Sequence, residues 1–189
     1  MRTLARTDSD WQRCGFHTLL AGLGGAGAAI LARSWAELVA FALLAVACSL
    51  LVVIDLSAYR LPDLIVGPMY PILFAALAVA AAVSGDWARL GRAAAASGML
   101  ALGYTVLALI TPASLGLGDV KLSGLLGAFL GWLGWSNALL GTLAGFTLSG
   151  VVAAVLVLAT RATRRTDFPF GPWMVAGAAV GAAWGPAFL

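Results

Sequence analysis

The sequence predicts an all-α fold, a polytopic transmembrane helical bundle of about seven helices (six to seven). Three observations point there. Of its 189 residues, 62% are hydrophobic and only 10% charged, and the mean hydropathy is +0.99. A soluble domain of this length needs far more polar side chains to cover its surface. The apolar runs are also long and unbroken, without the two-residue alternation of barrel strands. Finally, the charged residues gather in short stretches between those runs.

Residues 1–14 form a polar, basic tail and 15–189 a single membrane-embedded domain. A membrane-spanning helix needs about 20 mostly apolar residues. Seven segments qualify as candidates, at roughly 15–32, 36–55, 64–84, 93–111, 120–136, 138–160 and 171–189. The first follows Arg2, Arg6 and Arg13, as a signal peptide's apolar core would, but it is long for that role and is read as a retained helix. The fifth has the least definite end, because "GWLGWSN" (131–137) suits either a tight turn or a helix. Small residues at helical spacing, Gly127 and Gly131, Gly141 and Gly145, and Gly177, Gly181 and Gly185, let helix backbones approach closely.

Orientation follows from the positive-inside rule. With the N-terminus cytoplasmic, eight basic residues fall inside (Arg2, Arg6, Arg13, Arg60, Lys121, Arg161, Arg164, Arg165) and three outside (Arg33, Arg89, Arg92). The net charge of +3 and pI near 9.3 are thus a matter of topology, and no nucleic-acid partner is expected. Cys14 and Cys48 form neither a metal-ligand spacing nor a disulfide framework. A single histidine, His17, argues against a zinc site or a Ser-His-Asp triad. No metal or organic cofactor is expected.

The acidic residues carry the functional question. Asp55, Asp63, Asp119 and Asp167 all fall at cytoplasmic helix ends in this topology. Asp55 ends the run "LAVACSLLVVIDL" and Asp119 opens the fifth helix after "SLGLG". A carboxylate at bilayer depth costs about 2.5–3.5 kcal/mol on insertion scales, so each should face a cavity or a partner. For Asp119, a helix N-terminus is explanation enough. Asp55 lies at a helix C-terminus, where the dipole opposes it. If the two carboxyls approach, both cannot ionise easily, and the pair can share a proton. One then activates water while the other polarises a peptide carbonyl, as in aspartic proteases. Gly116 and Gly118 clear the space around Asp119.

Three blocks resemble the type IV prepilin peptidase family, bacterial members of the Gly-x-Gly-Asp intramembrane aspartic proteases. They are "IDLSAYRLPDLIV" (54–66), "GLGDVKL" (116–122) and "DFPFGPWMVAG" (167–177), and the likeness extends over about residues 36–185. The resemblance implies that Asp55 and Asp119 are the catalytic pair. It further implies cleavage of a basic leader from prepilins or pseudopilins at the cytoplasmic face of a bacterial inner membrane. Long-form members carry a cytoplasmic segment with paired Cys-x-x-Cys motifs and can N-methylate the trimmed pilin. This sequence has no such motif, and methylation is not expected.

Supporting residues have bland and functional readings side by side. Lys121 points away from Asp119 on a helix and serves either lipid headgroups or an acidic group on the substrate. Arg60 serves topology or the substrate. Pro62 suits the first turn of the third helix, and Asp63 favours the same helix end. Pro169, Phe170, Gly171 and Pro172 form either a plain loop or an irregular, substrate-facing wall. Two other classes stay open, a transporter or channel using membrane carboxylates and a non-catalytic pilus or secretion assembly protein. A signal-peptide-peptidase-type protease fits less well, since isoleucine precedes the first aspartate and the third block is "FPFGP".

Overall fold

The computed structural model describes residues 14–58, 62–110, 115–160 and 169–187. Among them are seven α-helices and no strands: α1 (Cys14–Leu31), α2 (Trp35–Ala58), α3 (Asp63–Ser84), α4 (Trp87–Ile110), α5 (Leu117–Leu133), α6 (Trp135–Thr160) and α7 (Gly171–Trp184). A short 3₁₀ turn, Gly185–Ala187, follows. The expected helical bundle is therefore the observed fold. Four helices, α2, α3, α4 and α6, are long and apolar enough to cross a membrane, whereas α1, α5 and α7 are shorter.

Boundaries depart from expectation where polar residues do structural work. The fourth helix begins at Trp87 rather than 93. The Arg89 N–H donates to Asp86 Oδ1 at 3.2 Å, satisfying one of the unpaired donors of the first turn. Gly85 takes a left-handed conformation (φ 73°) at the end of α3, so two residues suffice to reverse the chain. The "GWLGWSN" stretch is a tight break: α5 ends at Leu133, Gly134 alone connects, and α6 starts at Trp135. The last helix stops at Trp184, short of the expected 189.

The most intimate pairs are α4 with α5 and α6 with α7, and the glycines explain why. A Cβ on Gly181 would lie 2.5 Å from Gly141 Cα, and one on Gly127 would lie 2.8 Å from the Ala96 carbonyl oxygen. Helix α5 is the hub, touching α3, α4, α6 and α7. Leu122, Leu125, Ala128, Leu130 and Trp132 are buried on its several faces. A helix apolar all round belongs in the interior of the bundle.

At one end of the bundle α2, α4 and α5 are clamped together by charge. Glu37, 1% exposed, pairs with Arg89 Nη1 at 2.6 Å. The Arg89 guanidinium also stacks 4.4 Å over the Trp132 ring. Arg92 donates to the carbonyls of Gly131 (2.6 Å) and Trp132 (3.0 Å), capping the C-terminus of α5. Asp55 and Asp119 lie at the opposite end.

Candidate active site

Asp55 lies in the last turn of α2 and is 5% exposed; Asp119 lies in the first turn of α5 and is 9% exposed. The fold brings them near enough to interact electrostatically. Each has one oxygen fixed by a backbone donor. Gly116 N–H donates to Asp119 Oδ2 at 3.1 Å, and Asp119 N–H returns a bond to the Gly116 carbonyl at 3.1 Å. Asp119 thus reaches back from the third helical position to the N-cap, as the acid of a capping box does.

Asp55 resolves differently. Its own helix dipole opposes a negative charge there. Asp55 Oδ2 instead accepts the N–H of Gly171 at 3.1 Å, and Gly171 is the first residue of α7. The N-terminus of one helix offsets the C-terminus of another, with an N–H that has no partner inside α7. Both carboxylates therefore rest on helix N-termini, and no described hydrogen bond reaches the Oδ1 of either. That oxygen is what each carboxyl offers to a proton, a water or a peptide.

The remaining residues named from sequence separate into neighbours of this pair and outlying positions. Gly116 is the N-cap of α5 and Gly118 lies in its first turn. Lys121 is exposed whereas Asp119 is buried, so the two point to different faces as their spacing requires. Pro62 is the N-cap of α3 (φ −73°, ψ 125°), one position before the first turn where it was expected. Asp63 begins α3; its side chain, like Arg60 and Asp167, lies outside the described residues. The Phe-Pro-Phe-Gly-Pro block is more regular than expected. Phe170 is the N-cap of α7, its carbonyl accepts from Trp173 and Met174, and Gly171 and Pro172 already belong to the helix. Proline is tolerated there because the first-turn N–H groups lack intrahelical partners. Of the described part of the block, only Pro169 and Phe170 precede the helix.

Sequence reasoning missed the third wall. Tyr104 of α4 is 4% exposed and close enough to Asp119 to feel its charge. Its ring stacks on Phe146 of α6 (centroids 5.3 Å apart) and meets Phe170 (6.2 Å). Behind it, a cavity lined by Tyr104, Ser123, Gly145 and Met174 has room for about one water. On the other flank Tyr70 of α3 donates to the Lys121 carbonyl at 2.7 Å, its hydroxyl seated where a Cβ on Gly124 would stand. The sequence signal was a phenol inside an otherwise apolar span, which reads as packing. Among the described residues, no group of three His, Cys, Asp or Glu side chains could hold a metal ion.

Helices long and apolar enough to cross a membrane, with two buried carboxylates at one end, define a class: helical membrane proteins. The model of the type IV leader peptidase family matches residues 42–159, and the chain belongs to that family, a family of proteases. The matched span includes both Asp55 and Asp119 and stops before the Phe-Pro-Phe-Gly-Pro block. No curated protein and no solved structure gave a significant match.

Proposed function

We propose that this protein is a prepilin leader peptidase, an aspartic endopeptidase in which Asp55 and Asp119 are the catalytic pair. The observation that supports this reading is two buried carboxylates, far apart along the chain, at the same end of the bundle and near enough to interact electrostatically, each with one oxygen held by a backbone N–H. Such a pair shares a proton readily, because two adjacent negative charges are costly where water is scarce.

In the reaction, the ionised carboxyl takes a proton from water as its oxygen adds to the scissile carbonyl carbon. The protonated carboxyl gives its proton to the carbonyl oxygen. As the tetrahedral intermediate collapses, the C–N bond breaks, the departing amine takes up a proton from one carboxyl, and a hydroxyl of the intermediate returns its proton to the other, which restores the pair. The backbone donors keep each carboxyl aimed while protons move. The substrate is a type IV pilin-like or pseudopilin precursor whose basic leader precedes an apolar helix. That helix stays in the bilayer and presents the scissile bond at the membrane face. The active end faces the cytoplasm of a bacterial inner membrane, in keeping with the distribution of Arg and Lys.

The test is a membrane cleavage assay with a prepilin-like substrate. Asp55→Asn and Asp119→Asn should each insert normally and each lose cleavage, by 1,000-fold or more on the order seen when an acid–base pair is broken. Full activity in either variant overturns the assignment.

A further inference from the structure

Tyr104 stands on a different helix from both carboxylates and closes the site from the α4 side. We propose that it is a third catalytic residue, its phenolic O–H donating a second hydrogen bond to the scissile carbonyl oxygen while the protonated carboxyl passes its proton there; this rests on the protease reading of Asp55 and Asp119.

Among the described residues, several donors around the pair are already engaged. The N–H groups of Gly116 and Gly171 are spent on the carboxylates. The Ser123 hydroxyl donates to the Val120 carbonyl at 2.7 Å, and Thr142 to Ala138 at 2.7 Å. The Tyr70 hydroxyl is committed to Lys121. Lys121 itself is exposed on another face of α5. Tyr104, almost fully buried, has no acceptor for its hydroxyl among the described residues. Its oxygen is not sealed inside the protein, so the hydroxyl is open to a group that arrives at the site.

The ring is also rigidly held. It contacts Phe146 and Phe170, and those two rings touch each other at 5.7 Å. Phe170 is the N-cap of α7, the helix whose first N–H holds Asp55. The phenol and Asp55 are therefore positioned by the same element. A donor fixed before the reaction costs no reorganisation during it. Its chemistry suits the task as well. A phenol, with an ordinary pKa of about 10, donates without ionising. It adds no charge to a site that must already hold two carboxyls.

The experiment compares wild type, Tyr104→Phe and Phe146→Leu in proteoliposomes, using a peptide with a basic leader and an apolar helix. Phenylalanine keeps the ring contacts and removes only the hydroxyl. Tyr104→Phe should melt with the wild type, hold KM within about twofold and lose roughly 100-fold in kcat, the scale for one preorganised hydrogen-bond donor to the reacting oxygen. It should also weaken binding of a peptide whose scissile amide is replaced by a hydroxyethylene group, which imitates the tetrahedral state. Phe146→Leu, which keeps the phenol, should lower the melting temperature with a much smaller loss in kcat. A Tyr104→Phe enzyme with kcat within twofold of wild type overturns the inference and leaves the protease reading intact. So does a loss of kcat matched by a fall in melting temperature, which marks a packing role. A wild type that cleaves no such substrate overturns the protease reading, and this inference with it.

Discussion

Asp55 illustrates how a residue's surroundings can reverse what its own helix dictates. At the end of α2 a carboxylate is disfavoured, yet the first N–H of α7 meets it. In the proposed mechanism one proton serves two carboxyls, so cleavage should peak at an intermediate pH and decline on both sides. At low pH neither carboxyl can accept a proton from water, and at high pH neither can donate one. Initial rates measured across pH in a fixed lipid check this, and a flat profile contradicts it. The opposite end offers a stability test. Arg89→Leu leaves Glu37 buried without its cation and should cost about 3–5 kcal/mol. Replacing both residues with leucine should recover much of that loss, because the desolvation of two charges disappears along with their attraction. Thermal unfolding in detergent measures each.

Legibility at this scale followed polarity contrast. A carboxylate in an apolar run is conspicuous, so Asp55 and Asp119 stand out from the sequence alone. Tyr104 does not, because a phenol in a membrane helix is as often packing as chemistry. Nor can the role of Gly171 as donor be read there, since sequence does not say which helix end meets which. The early start of α4 was hidden for a related reason. Arg89 and Arg92 interrupt the apolar pattern and resemble loop residues, but their charge is absorbed by Glu37 and by the carbonyls at the end of α5.

At the scale of elements, the seam between α6 and α7 fixes where α7 begins, and so where Gly171 points. Gly177 and Gly181 lie directly on Gly141 and Gly145, and Asn137 donates to the Gly181 carbonyl at 2.9 Å. Gly181→Leu should separate the helices and destabilise the protein by about 1–3 kcal/mol, the usual cost of overpacking. It should also reduce cleavage by shifting the donor to Asp55. Gly150→Ala makes the contrast, since nothing lies within 4 Å of its Cβ position. It should leave cleavage unchanged and stabilise α6 by about 0.5–1 kcal/mol. Parallel unfolding and cleavage measurements separate the two cases. The glycine spacing was visible in the sequence and indicated close packing, but not which helix would pair with which.

At the scale of the molecule, the arginines on the side opposite the carboxylates bear on orientation. Arg89 and Arg92 both bond within the bundle. Under the proposed topology, most of the outward positive charge is thus structural rather than a competing topological signal. Cysteine placed at Leu64, exposed at the active end of α3, should react with a membrane-impermeant thiol reagent only after the inner face is opened. Labelling in intact cells would reverse the assigned orientation.

Unequal helix lengths shape the membrane around the site. Helices α5 and α7 have 17 and 14 residues against 24 in α4. At 1.5 Å per residue this is about 25 and 21 Å against 36 Å, while lipid tails occupy about 30 Å. From Tyr104, α4 runs on to Ile110, about 9 Å further. Helices α5 and α7, which carry one carboxyl and the donor to the other, are shorter than the bilayer, so tails should shorten or headgroups sink into a dimple beside them. Such a dimple lets solvent reach buried acids without a dedicated channel, and turnover should fall as acyl chains lengthen from about 14 to 22 carbons.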